Sequence, residues 1–408
     1  MNLWPKLSPT VRGLIPLYAS ALLAGMWSMI VPIIPVLADS FGISSGSAAQ
    51  VITALAVGRF AGMPISGVVL DRLGTATALR VGPISVCAAA LLAGLTPSFT
   101  LILALIFLMG IGESIWVIAR EVAGIDLVRQ DQRGRVLSGF HGINNLGLAL
   151  GPLLGGFLTE AAGFRSVFFV FAGCSLASIL LGANLVSAAQ PLDRHKVART
   201  SRIPSMRGYL AGLKQLFHQI DPKFRATYIV LTFATFTSFM HRVTAQSMLP
   251  LLASTALGLS PKDVGVLFTV SGLAVFAMIL PAGFVIDKIG RKWATVPSTG
   301  IPALAFLLIP FSQSFFHLAI LVAFLGIANG LSLGSLATST FDVVPESARG
   351  RLQAARRTIA ELGGVGAPLV GGFLADAFNP GVPFLAYAPL LVLSALLLAF
   401  VARETLPR

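Results

Sequence analysis

Twelve stretches of this chain are each apolar for long enough to cross a lipid bilayer, and no other feature limits the fold so sharply. They lie at 13–38, 48–70, 79–98, 101–127, 136–160, 165–187, 225–253, 262–286, 293–312, 315–343, 353–377 and 382–402. An apolar run of about 18 residues or more reads as a membrane-crossing helix. Water is absent from the hydrocarbon, so each backbone N–H and C=O must find a partner within its own segment, which a helix provides. The predicted fold class is an all-α membrane protein of twelve transmembrane helices. A composition of 55% hydrophobic and 11% charged residues excludes a soluble globular domain.

The formal net charge of +13 would fit a nucleic-acid partner if the cations formed one patch. Instead, Lys and Arg concentrate at the termini and in loops after even-numbered spans, with only Arg165 and Lys262 on the opposite side. Cytoplasmic loops carry that excess, so both termini are expected in the cytoplasm of a multi-pass inner or plasma membrane protein. No nucleic-acid partner is expected. Cys87 and Cys174 fall in spans 3 and 6 and read as small apolar packing residues. The first residues lack a small-residue cleavage site, so span 1 is expected to stay as an anchor. Walker-type phosphate loops, metal-ligand clusters and nucleophile elbows are missing, which argues against an ATP-driven pump and against an enzyme. No cofactor and no metal are implied.

The second half of the chain repeats the first. Gly67-Val-Val-Leu-Asp71-Arg72-Leu-Gly74 returns as Gly283-Phe-Val-Ile-Asp287-Lys288-Ile-Gly290. The same displacement carries Gly110 onto Gly326, Asp126 onto Asp342, Pro152 onto Pro368 and Gly155-Gly156 onto Gly371-Gly372. A duplicated unit predicts two six-helix bundles, 1–187 and 225–408. Between them, 188–224 is rich in Lys and Arg, with Leu210, Leu213, Leu216, Phe217 and Ile220 at helical spacing. That linker is expected to lay an amphipathic helix on an anionic inner leaflet.

Each charged repeat sits in a short turn between the second and third spans of its half. Gly-x-x-x-Asp-[Arg/Lys]-x-Gly-[Arg/Lys]-[Arg/Lys] at that place resembles the signature loop of the major facilitator superfamily. The second copy matches throughout, including Arg291 and Lys292, whereas the first has Thr75 and Ala76 at the basic pair and its next cation at Arg80. Span 1 ends Pro32-Ile-Ile-Pro35, and span 5 reads Gly147-Leu-Ala-Leu-Gly151-Pro152-Leu-Leu-Gly155-Gly156. Both resemble motifs of the twelve-span drug–proton antiporters within that superfamily, although Ile106 stands where that group carries a span-4 arginine. The resemblance implies transport by alternating access, a monomer, and a cytoplasmic gate built on the charged loops. In that gate Arg291 is expected to pair with Asp342. Asp71 and Asp287 are expected to face helix N-termini of the opposite half, and Asp126 to use Arg80 or Arg129 or to lack a lock.

An ionisable side chain inside a span is costly and marks function by default. Spans 3, 6, 9 and 12 have none in their apolar interiors, as suits outer supports. Arg59, Glu113, His241 and Arg242 fall near mid-span, where sites between repeats lie. Arg120 follows Glu113 by seven residues on the same side of span 4, and Glu113 is expected to meet Arg59 from the neighbouring span. Glu113 is the expected proton carrier, with Glu361 and then His241 behind it; a fixed pair that only specifies helix packing is the alternative. Arg59, Glu113, Arg120, His241, Arg242, Asn144, Asn145 and Trp27 are the candidate cavity residues.

These readings converge on a secondary transporter of a small organic molecule. The span-1 and span-5 motifs favour proton-coupled efflux, as in a multidrug or metabolite exporter. Arg59, His241 and Arg242 favour the alternative, a proton-coupled importer or exchanger of an organic anion or polar metabolite. A non-transporting membrane sensor is the remote third reading.

Overall fold

The computed structural model describes residues 9–129, 132–186, 215–345 and 348–406, and within them the regular structure is helical, without strands. Among these residues twelve long helical segments follow one another. α1 runs through Pro9–Gly25, a 3-10 stretch at Met26–Ile33 and a final piece at Ile34–Phe41. α2 is Ser45–Leu73, α3 Thr75–Leu95, α4 Phe99–Asp126, α5 Arg133–Ala162 and α6 Phe164–Val186. α7 is Pro222–Leu257, α8 Pro261–Phe284 with a π-helical turn at Val285–Ile289, and α9 Arg291–Leu308. α10 is Phe315–Val343, α11 Arg349–Ala377 and α12 Val382–Phe400. Ten of these segments are long and apolar enough to cross a membrane. The other two, α5 and α7, carry polar residues within their spans, among them Asn144, Asn145, His241 and Arg242.

Local chemistry explains where the helices begin and end. Ser44, Ser98, Ser260 and Ser314 each accept a backbone N–H from the first turn of α2, α4, α8 and α10, satisfying a donor the helix cannot pair. Gly42 and Gly258, equivalent positions of the repeat, close α1 and α7 in the left-handed region at φ 60° and 61°. The duplication read from the sequence is thus visible in the backbone. Pro32 lies in the buried 3-10 stretch Met26–Ile33, and Pro35 follows at the start of the next helical piece, where its missing amide donor is tolerated.

α3 packs on α4 and α6, and α9 on α10 and α12, so the helices whose apolar interiors lack charge pack side by side within each half. Large apolar side chains such as Leu280, Phe373 and Phe400 are exposed, the expected surface of a protein solvated by lipid. α1–α6 meet α7–α12 along α2 with α11 and along α5 with α8. Gln50 donates to the Pro368 carbonyl and Thr269 to the Ala149 carbonyl, while Gly46 and Gly156 abut the backbones at Gly372 and Pro261. These contacts lie toward the face opposite the Gly-Asp loops.

Most of the linker lies outside the described residues. Its described end, 215–220, does not present its apolar side to lipid alone. Ile220 is buried in a cluster with Tyr228, Val344 and Leu352, and Leu216 and Phe217 pack against it.

Candidate functional site

The centre of the first half is an ion pair. α2 and α4 cross at Gly58 and Gly110, where a Cβ on Gly110 would stand 2.8 Å from the Arg59 nitrogen and 2.9 Å from the Gly58 Cα. Ser114 Oγ donates to the Arg59 carbonyl at 2.7 Å and fixes the register of that crossing. The close approach sets Arg59 against Glu113. Arg59 Nε donates to Oε2 at 2.9 Å, and its terminal nitrogen donates to Oε1 at 2.8 Å and Oε2 at 2.7 Å. The planar guanidinium suits this fork, which is stronger and more directional than a single contact. The Trp27 ring lies over the same guanidinium, with Cζ 4.2 Å from the ring centroid.

Arg59 also faces the other half of the molecule. Its charge acts on Glu361 of α11, whose other cation is Arg357 at 3.6 Å. Glu113 is thus the carboxylate that Arg59 pairs with, whereas the ion-pair partner of Glu361 is Arg357. Arg120 is buried one level away. It donates to the Ser20 carbonyl at 3.3 Å and lies 5.8 Å from the Phe140 ring, while its Nε has no hydrogen-bond partner among the described residues. His141 is exposed and does not join the cluster.

The centre of the second half is built differently. His241 and Arg242 diverge, as neighbours about 100° apart on a helix must. His241 is fully buried, with Nδ1 3.1 Å from the Thr237 carbonyl, Nε2 3.0 Å from Asn329 Oδ1 and its ring edge-on to Phe306. Arg242 Nε donates to the same Asn329 oxygen at 2.8 Å, and its terminal nitrogen donates to Ser332 Oγ. A cavity of about 260 Å³ opens between α5, α7, α8 and α10, with Arg242, Gln246, Asn329, Ser271 and Asn145 on its wall. α10 is broken beside it. Leu333 and Gly334 leave helical geometry, Gly334 at φ 90°, a region favourable only to glycine. Discontinuous helices recur at transporter sites because unwound backbone exposes polar groups to a cavity. Asn144 is partly buried near α1, where its carbonyl crowds Gly25, and it does not line this cavity.

The span-5 glycines are backbone contact points. A Cβ at Gly147 or Gly155 would overlap the carbonyl of Leu22 or Met29 in α1, one at Gly151 the Ser28 hydroxyl, and one at Gly156 the Pro261 carbonyl in α8. On the partner side, a Cβ at Gly265 would overlap the Pro152 carbonyl. The motif thus places α5 between the two halves.

The charged loops are unequal. Arg291 Nε donates to Asp342 at 3.0 Å, and its terminal nitrogen donates to Asp287 at 3.0 Å and to the Ile286 carbonyl at 2.9 Å. Asp287 is 69% exposed and serves its own half. Lys292 Nζ donates to the Ala399 carbonyl, whereas Lys288 is exposed, and Gly283 and Gly290 bound the turn. The C-terminal tail completes this network. Glu404 accepts the N–H groups of Arg291 and Lys292 at the start of α9, and Thr405 donates to Asp342 at 3.1 Å. Burial pushes the Glu404 carboxyl up, but N–H donors from Leu406, Lys292, Arg291 and Thr405 outweigh it and hold the group below the usual carboxylate range. In the first half, Asp71, Arg72, Gly74 and Arg80 are exposed, Gly67 has open space around it, and Asp126 forms no salt bridge with Arg80. The charge of Arg133 acts on Asp126.

Sequence reasoning missed Asn329, Gln246 and Ser332, which are neutral, and the capping roles of Glu160, Asp376 and Glu404. The displacement that relates the two loops could have found three of them, since it sets Glu113 on Asn329 and Glu160 on Asp376.

Comparison with known proteins agrees with this architecture. A family model described as Major Facilitator Superfamily matches residues 17–229 and 231–408. Multidrug resistance protein MdtG of Enterobacter lignolyticus is 23% identical over 391 residues, covering 93% of this chain and 89% of the relative. Multi-drug resistance efflux pump PmrA of Streptococcus pneumoniae is 25% identical over 374 residues, covering 88% of each. Among solved structures, a mutant of the nucleoside transporter NupG aligns with a TM-score of 0.74 at 14% identity, over 96% of this chain and 98% of that one. A D-xylose–proton symporter aligns with a TM-score of 0.74 at 15% identity, over 98% and 99%. With both halves matched by the family model, this multi-pass membrane chain belongs to the Major Facilitator Superfamily of transporters.

Proposed function

We propose that this transporter couples proton entry to efflux of a small organic molecule by alternating access. The observation that carries the proposal is the fork between Arg59 and Glu113, with Glu361 of the other half also in the field of Arg59. A proton on Glu113 cancels its charge and loosens the fork, which frees Arg59 toward Glu361. Motion of one guanidinium between carboxylates of opposite halves links a protonation event to the rocking of the halves. The relatives named as a multidrug resistance protein and a multi-drug resistance efflux pump, and the span-5 motif that packs α5 between α1 and α8, support export over import.

The protein works in this reading as a monomer in an inner or plasma membrane with an anionic inner leaflet. Both termini and the Gly-Asp loops lie in the cytoplasm. Contacts between the halves at the opposite face then correspond to an inward-facing state. The exposure of Asp71 and Asp287 follows, because their helix partners in the opposite half are met only when the cytoplasmic face closes.

Everted membrane vesicles with an inside-acid gradient test the proposal. Lipophilic cations, neutral drugs and organic anions are added in turn while a pH dye reports the lumen. Proton release on adding one class, lost in Glu113→Gln, is the expected result. Release that persists in the variant moves the proton to Glu361 or to a histidine such as His241. No release with any class favours the second reading, import or exchange of an organic anion, which Arg242 independently supports.

A further inference from the structure

Glu113 and Asn329 occupy equivalent positions in the two halves, and each receives an arginine from a neighbouring helix. In the first half the acceptor is a carboxylate, so the pair is neutral. In the second half the acceptors are an amide oxygen and the Ser332 hydroxyl, so the Arg242 charge is uncompensated. Among the described residues, no Asp or Glu lines the cavity that Arg242 enters. Arg242 is partly buried, and a guanidinium partly withdrawn from water is disfavoured unless it is paired. Besides Arg242 and its neighbour His241, whose Nε2 lies 3.0 Å from Asn329 Oδ1, the polar side chains on the cavity wall are Asn145, Gln246, Ser271 and Asn329, set among apolar ones such as Phe268.

We infer that the ligand of this cavity is an organic anion, a carboxylate, sulfonate or phosphonate on a small apolar body, whose charged group forms the ion pair that Asn329 withholds from Arg242. The anion's oxygens accept from Arg242, and Gln246 and Asn145 supply neutral hydrogen bonds. The apolar body lies against Phe268 and its neighbours. Arg59 contributes no site for the anion, because Glu113 already occupies its fork. This inference deepens the transporter reading by naming a substrate class, and it holds for either direction of transport.

The test is equilibrium binding to the detergent-purified full chain, without a gradient, so a failed proton-coupling experiment leaves its result untouched. The probes are 2-naphthalenesulfonate and 2-naphthoate, neutral 2-naphthol, and 2-naphthyl-trimethylammonium, titrated calorimetrically at pH 7. Wild type is expected to bind the two anions at least about tenfold more tightly than the neutral or cationic probe, in line with a charge-assisted hydrogen bond. Asn329→Asp gives the second half the acceptor the first half has. It should retain thermal stability and lose the anion preference. Arg242→Gln should lose the preference as well, and it decides the matter if the aspartate variant folds poorly. Equal binding of all probes by wild type, no binding of any probe, or an anion preference surviving in either folded variant would overturn the inference.

Discussion

Glu160 and Asp376 are equivalent residues of the repeat, and each accepts a backbone N–H from the first turn of a helix in the opposite half. Glu160 at the end of α5 takes the Lys262 N–H of α8 at 3.2 Å. Asp376 at the end of α11 takes the Gly46 N–H of α2 at 2.7 Å and the Ser44 hydroxyl at 2.7 Å. Unpaired donors and the dipole give a helix N-terminus partial positive charge, so a carboxylate there is a latch. Two latches hold the face opposite the Gly-Asp loops closed.

Opening that face breaks both latches. At about 1 kcal/mol each, removing them shifts the balance of states by roughly thirtyfold. The double variant Glu160→Gln, Asp376→Asn is therefore expected to populate the state open on that face. Spin-label distances between the outer ends of α2 and α11 should lengthen in a larger fraction of molecules. An unchanged distance distribution would show that helix packing alone closes the face.

The two carboxylates near Arg59 should behave differently on substitution. Glu113 makes a fork at 2.7–2.9 Å, whereas Glu361 is held by Arg357 at 3.6 Å. Glu113→Gln removes the charged acceptor and is expected to abolish gradient-driven transport while leaving energy-independent exchange of substrate. Glu361→Gln is expected to reduce the gradient-driven rate without abolishing it. Parallel uptake and counterflow in proteoliposomes separate these outcomes, and equal loss of both activities in Glu113→Gln would assign the pair a packing role.

How much of this was legible beforehand depended on what fixes each feature. Span number and duplication were readable because hydrophobic length and a gapless repeat are properties of the string itself. Arg59 and Glu113 were readable as a pair because buried opposite charges on adjacent spans have few other partners. Asn329 was not, since a neutral amide inside a helix carries no signal until a guanidinium is seen beside it. The break at Leu333–Gly334 also escaped notice, because a single glycine among the many in membrane helices does not announce a positive φ. The inequality of the two loops was legible at Thr75 and Ala76, but the tail's part in the second loop was not. Glu404 is far from Arg291 in sequence, and only folding brings it to the start of α9.

That tail gives a pH-dependent prediction. The folded-state pKa of Glu404 lies below its ordinary value of 4.5, so its contribution is fully present above the unfolded pKa and is lost as pH falls through the folded one. Glu404→Gln is expected to lower the melting temperature of the purified protein at pH 7, reflecting up to about 1 kcal/mol for a partly exposed helix-terminal carboxylate. The difference from wild type should shrink as pH is lowered below 4.5. A constant difference across that range would mean the variant acts through packing and not through charge.

The crossing of α2 and α4 is the most exacting contact in the site. A Cβ at Gly110 would stand 2.8 Å from the Arg59 nitrogen and would overlap the neighbouring α2 backbone, which has no flexible end to yield. Gly110→Ala must therefore push the helices apart, and overpacking of this kind costs about 1–3 kcal/mol. The displacement also stretches the Ser114 bond to the Arg59 carbonyl and opens the fork to Glu113. Gly142 is the matched control, since a Cβ there meets nothing within 4 Å and alanine favours the helix. Gly110→Ala should lower the melting temperature and impair proton coupling together, whereas Gly142→Ala should change neither adversely. If Gly110→Ala proved as benign as its control, close approach at this crossing could not be what sets Arg59 against Glu113.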